Sequence, residues 1–145
     1  MIANVIQIFK VVNAKDVFEE FYMRGLSRRL LLKKSASQEQ EKLMITKLRN
    51  ELSYEFGNKS DSMLKDLGEN EKLLKEYRTM RGGEEALREK SHGIEANYHV
   101  LSQGSWPIRA EVKNAVLPPI ISDVQEDFKK YYMSRHQGKC LTFCP

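Results

Sequence analysis

Apolar residues recur at spacings of three and four along most of this chain, and that period admits helices and little else. Ile2, Val5, Ile6, Phe9 and Val12 follow it and predict a short helix over residues 2–12. Asp16 followed by Glu19 has the form of a capping box. Behind it Val17, Phe18, Phe21, Tyr22, Leu26 and Leu30 make a stripe one helical face wide. Gly25 sits inside that helix, where glycine costs about 1 kcal/mol relative to alanine. Ser35-Ala36-Ser37 breaks the pattern, and Ser37 with Gln40 offers a second capping box. Met44, Ile45, Leu48, Leu52 and Phe56 then predict a third helix, with Gly57 as its left-handed cap. A shorter helix is expected over 60–67, and another after Gly68 through Leu73, Leu74 and Tyr77. Short links between such segments are the mark of helices packed as antiparallel neighbours.

The period fails at residues 81–95, which carry three glycines and read as a surface loop. Tyr98 and Val100 alternate with Asn97 and His99, so 96–101 is a strand candidate. Gly104-Ser105-Trp106-Pro107 reads as a turn. Leu117-Pro118-Pro119 leads into a last helix marked by Ile120, Ile121, Val124, Phe128, Tyr131 and Tyr132, the last two and Phe128 expected in the core. Gly138 ends it, and Lys139–Phe143 is a second strand candidate. Two short strands make no stable sheet alone, so these need further strands from missing chain or from a partner. The sequence stops two residues after Phe143, which reads as the mark of a fragment.

Composition narrows the class. The 145 residues suit about one domain and one core. With 41% hydrophobic and 30% charged residues, extended disorder is a poor reading. No apolar run approaches the roughly 18 residues that a spanning helix needs. Residues 1–13 lack a basic start and are broken by Lys10, which argues against a signal peptide. Two cysteines in the last six residues cannot staple a fold, and the chain reads as intracellular.

Little here looks like an active site. His136, Cys140 and Cys144 are spaced four apart, but three soft ligands with no second pair nearby make a poor zinc site, and no cofactor is expected. His92 and His99 lie near loops with no carboxylate to orient them, so a cysteine nucleophile is not favoured. No phosphate-binding loop and no HExxH occurs. Charge is more informative. The net charge is only +4, yet Arg24, Arg28, Arg29, Lys33 and Lys34 form a basic stripe free of acids. It reads as a solvated face, a nucleic-acid surface, or a dock for an acidic protein segment. The absence of interleaved aromatics and of a recognition motif weighs against nucleic acid.

Taken in order, KDVFEEFYMRGLSRRLLLKKSAS (15–37), EKLMITKLRNEL (41–52), SMLKDL (62–67), LSQGSWPI (101–108), LPP (117–119) and YYMSRHQGKCLTF (131–143) resemble the C-terminal region of cullins, the scaffolds of cullin-RING ubiquitin ligases. The resemblance runs through nearly the whole chain. It implies a mostly α fold: a four-helix bundle followed by the start of a small α/β subdomain with short strands. On that basis residues 1–80 are the bundle, 81–95 a surface loop, and 96–145 a strand, the last long helix and the opening of the subdomain. In the family this subdomain takes up a strand from a RING-box protein, a β-augmentation. The resemblance therefore assigns Tyr98, His99, Val100, Leu101, Lys139, Cys140, Leu141, Thr142 and Phe143 to RING-box-binding strands. It also places Arg24, Arg28 and Arg29 in a basic canyon that receives the acidic tail of a ubiquitin-conjugating enzyme.

The function so implied is that of a scaffold without catalytic residues, acting by proximity in the cytoplasm and nucleus. Its partners are a RING-box protein, a conjugating enzyme and cullin regulators, with no membrane and no metal. Alternatives are a basic helical nucleic-acid-binding module, marked by steep salt dependence, and a naturally truncated cullin-like competitor. Some residues depart from the family pattern. Gly25 replaces a larger residue, Cys140 stands where a basic residue is usual, and 81–95 matches nothing. Trp106 is expected to plug the junction of bundle and sheet.

Overall fold

A computed structural model describes residues 2–108 and 117–144. Residues 109–116, which the domain reading assigns to the α/β part, lie outside the described residues. The apolar period becomes six helices among the described residues: α1 (Ile2–Lys10), α2 (Lys15–Leu31), α3 (Gln38–Arg49), α4 (Tyr54–Met80), α5 (Glu84–Lys90) and α6 (Pro119–Arg135). The chain divides into two units, Met1–Glu69 with His99–Pro107 and Asn70–Tyr98 with Ile108–Pro145.

Local chemistry explains where the helices begin. Ser37 caps α3 from an extended backbone conformation, and its Oγ accepts from the Gln40 amide at 3.3 Å while donating to Glu39. Replacing Ser37 with Ala should lower stability by about 1 kcal/mol in a urea titration, because one end amide loses its acceptor. The box expected at Asp16 is not formed. α2 starts at Lys15 with Ala14 as an N-cap that makes no side-chain bond. Asp16 instead lies within the first turn, where its charge suits the positive helix end.

Glycine misleads twice. α3 ends at Arg49 and not at Gly57, which lies inside α4. A Cβ on Gly57 would stand 3.0 Å from Arg49 Nε, so this glycine admits a close neighbour and does not cap a helix. Gly68 does not divide two helices either; α4 passes through it unbroken. The start of α4 is fixed by Ser53, whose Oγ accepts from the Phe56 amide at 3.1 Å. Within 81–95, read as loop, Glu84–Lys90 forms α5. Its acidic first turn and basic last turn match the helix dipole, and none of its residues is buried.

The first unit closes around Ile6, Phe9, Met23, Leu26 and Leu30, joined by Ile45, Leu48, Phe56, Met63 and Trp106. The stripe on α2 is offset from its expected position. Met23, Leu26, Ser27 and Leu30 face inward, while Val17 is 48% and Phe21 68% exposed. Ser27 tolerates the core because its hydroxyl donates to the Arg24 carbonyl at 3.0 Å.

The second unit is aromatic. Phe128, Tyr131 and Tyr132 on α6 are buried as expected, with Tyr77 of α4. The Tyr77 hydroxyl donates to Asp127 at 2.8 Å, and Arg81 forks the same carboxylate at 2.9 and 2.7 Å. Neither 96–101 nor 139–143 enters a ladder, and no strand occurs among the described residues.

Candidate functional site

Exposure alternates over part of each of the two segments expected to pair. From Cys140 to Cys144 exposure alternates, with Leu141 and Phe143 half-buried and Cys140, Thr142 and Cys144 outward. Tyr98 is half-buried, His99 exposed and Val100 half-buried again. That period of two is what a strand presents to a core.

Within the second unit Tyr98 and Phe143 meet, their rings 6.4 Å apart. Tyr98 stacks flat on Phe128 at 4.0 Å and stands edge-on to Tyr77 at 6.3 Å. Its hydroxyl donates to the Val124 carbonyl at 3.0 Å. Burial, with the Asp127 charge second, pushes its phenol up to about 12. His99, Val100 and Leu101 belong to the first unit, where Leu101 packs against the core. Lys139 and Cys140 are exposed beyond α6.

The chain after Leu101 is anchored by one carboxylate. Asp66, 7% exposed, accepts from the Ser102 amide, the Ser102 hydroxyl and Trp106 Nε1, each at 2.7 Å. Trp106 thus plugs the first unit's own core, where no sheet adjoins it among the described residues. Sequence reading missed Asp66; the available signal was an acid set between Met63, Leu64 and Leu67 on a stripe of apolar residues.

The basic stripe divides. Arg24 and Arg28 are exposed, with Arg24 paired to Glu20 one turn back. Arg28 has no ion-pair partner among the described residues. Arg29 lies 100° further round the helix and turns to α3. Its Nε and Nη2 meet the two Glu41 oxygens at 2.6 and 2.9 Å, and its guanidinium lies 5.6 Å from the Tyr22 ring centre. Arg29 therefore ties two helices together.

Hydrogen bonds from Arg29 hold the Glu41 carboxyl below the ordinary 4.5 of a glutamate, against the opposing effect of burial. A carboxyl depressed on folding stabilises above its unfolded value, and that support is lost as pH falls through the folded value. Glu41→Gln should lower stability at neutral pH and flatten the acid limb of a stability–pH curve below the ordinary 4.5. An acid limb as steep as that of the parent chain would refute this.

Among the described residues no cluster of three His, Cys, Asp or Glu side chains is placed to hold a metal ion, and Cys140 and Cys144 are both exposed. No helix among them is long and apolar enough to cross a membrane.

Comparison with known proteins gives these surfaces a family. The model of the cullin alpha solenoid domain matches residues 1–74, from α1 well into α4. The chain belongs to the cullin family. It is 39% identical to Cullin-4 of Dictyostelium discoideum over 134 residues, covering 92% of this chain and 16% of that protein. Against Cullin-3 of the same organism the identity is 35% over 138 residues, covering 95% and 17%. Cullin-2 of Caenorhabditis elegans is 30% identical over 153 residues, covering 97% and 19%. This cullin segment thus spans less than a fifth of the length of the relatives it matches.

Proposed function

We propose that this cullin segment is a non-catalytic scaffold piece of a cullin-RING ubiquitin ligase. It holds a RING-box subunit and positions a ubiquitin-conjugating enzyme for ubiquitin-dependent protein degradation. The observation that carries this reading is the meeting of Tyr98 with Phe143 within the second unit, which brings together one residue from each of the segments given to RING-box strands. The alternating burial of 140–144 supports it further: a strand supplied by the RING-box N-terminus would lie along that segment by β-augmentation. On this reading 96–145 opens a small α/β subdomain that is completed by a second chain. Within the second unit Tyr98, Leu141 and Phe143 supply its packed face, and Lys139, Cys140 and Thr142 its backbone pairing.

Arg24, Arg28 and Arg29 remain the proposed receptor for the acidic tail of the conjugating enzyme. Arg28 is the exposed charge most ready to serve, while Arg29 acts chiefly by fixing α2 on α3. Capture of this kind speeds association and weakens with salt. The chain works in the cytoplasm and nucleus and is open to cullin regulators.

Co-expression with a RING-box protein tests the reading. The two chains should co-elute in size exclusion, and removal of the RING-box N-terminal strand should abolish co-elution. Equal co-elution with and without that strand would overturn the strand assignment.

A further inference from the structure

Cys140 and Cys144 are the only cysteines of the chain, and both are free and exposed. Neither core uses their thiols. Leu141 and Phe143 are half-buried, and Phe143 meets Tyr98 at 6.4 Å, so Cys140, Thr142 and Cys144 turn outward together. Along a run of that period, positions four residues apart stand about 13 Å from one another. A disulfide needs its two Cα atoms within about 7 Å. The two thiols share a face but cannot reach each other across it.

A second copy removes that difficulty. A two-fold axis perpendicular to a strand reverses its direction, so two copies of 140–144 pair antiparallel. The outward residues are Cys140, Thr142 and Cys144, the same types read in either direction. With the axis at Thr142, Cys140 of each copy lies opposite Cys144 of the other. Residues directly opposite in such a pair have Cα atoms about 4.5–5.5 Å apart, inside the disulfide range. Thr142 meets its own counterpart, a favourable cross-strand pair. Leu141 falls opposite Phe143, which keeps the packed face apolar. No charged residue lies within 140–144, so no like charges are opposed.

We propose that 140–144 is a redox-controlled self-pairing segment, in which two copies are joined by reciprocal Cys140–Cys144 disulfides. The oxidant is hydrogen peroxide. One thiol gives up its proton, attacks a peroxide oxygen and breaks the O–O bond, becoming a sulfenic acid as water leaves. The opposite thiol then attacks that sulfur, which forms the S–S bond and releases the hydroxyl as a second water. Two thiols thus lose two electrons and two protons, and one peroxide becomes two waters. Exposure leaves the bonds open to attack by small thiols, so the join is reversible. This pairing needs only the thiols and the alternation, and no RING-box protein.

Hydrogen peroxide added to the full chain tests it, read by non-reducing electrophoresis and intact mass. The parent chain should form a covalent dimer lighter than two monomers by two hydrogens per bond, and dithiothreitol should reverse it. Cys140→Ser or Cys144→Ser alone should stay largely monomeric, because the remaining thiol faces the substituted position and lies about 13 Å from its counterpart. Mixed together, the two variants should form a one-bond dimer about tenfold faster than either alone, since opposed thiols react as if concentrated. Both side chains are exposed, so neither substitution disturbs a core. A single variant that dimerises as fast as the parent would show chance contact of exposed thiols and overturn the proposal. So would a monomer closed between its own Cys140 and Cys144, or a chain that peroxide leaves without disulfides.

Discussion

Asp66→Ala should cost the first unit about 3 kcal/mol, because it strands the buried Trp106 donor and releases two part-buried donors of Ser102. The carboxylate is 7% exposed and accepts from the Ser102 amide, the Ser102 hydroxyl and Trp106 Nε1. Hydrogen bonds to a charged acceptor are stronger than neutral ones, and donors left unpaired under cover pay their desolvation in full. Trp106 is the only tryptophan of the chain, so its fluorescence reports this site alone. The variant should unfold earlier in urea and show a red-shifted emission before the main transition. Asp66→Asn retains one acceptor oxygen and should fall between the two. A midpoint unchanged in Asp66→Ala would show that packing alone holds 99–107 in place.

Phe128→Ala should cost the second unit about 3–5 kcal/mol, the range for truncating a buried aromatic ring. Phe128 is 1% exposed, lies 4.0 Å from the Tyr98 ring and meets Tyr77 edge-on at 5.1 Å. Removing it takes away the plate on which Tyr98 rests, and Phe143 packs against Tyr98 in turn. Amide exchange along α6 should accelerate by orders of magnitude, and the proposed association with a RING-box protein should weaken with it. Phe128→Leu keeps most of the volume and should lose much less. Equal exchange rates in Phe128→Ala and the parent chain would remove this ring from the support of the site.

The residues show which signals could be read and which could not. Ser37 was legible because its cap is a bond between neighbours three residues apart. α1 was legible from its apolar face alone, and α6 from an apolar face that follows Pro118 and Pro119. Gly57 and Gly68 misled because a glycine signals a break only when tertiary packing does not claim it. Gly57 is claimed by Arg49, and Gly68 is carried by a helix long enough to absorb the cost.

α2 shows a subtler limit. Its period established a stripe, but Val17 and Phe21 lie at the edge that turned outward, and periodicity alone does not say which edge a neighbour covers. The same applies to the arginines. Three basic residues within six positions looked like one surface, yet Glu41 in the next helix took Arg29 for itself. The partners of Asp66 were illegible because they lie 36 and 40 residues away, and only its place among apolar residues marked it. The strands expected at 96–101 and 139–143 are not formed among the described residues, and alternation over four or five residues does not by itself make a ladder.

The buried phenols set a limit in alkali. Tyr22 in the first unit and Tyr98 in the second are each pushed up to about 12, mainly by burial, from the ordinary 10.0 of tyrosine. A phenol whose folded value is raised supports the fold fully below pH 10, and that support drains away as pH climbs toward the folded value. Each unit therefore carries its own base-labile side chain. In a spectrophotometric titration these two hydroxyls should ionise only as their surroundings open, so the appearance of phenolate absorbance would time the loss of each unit's core.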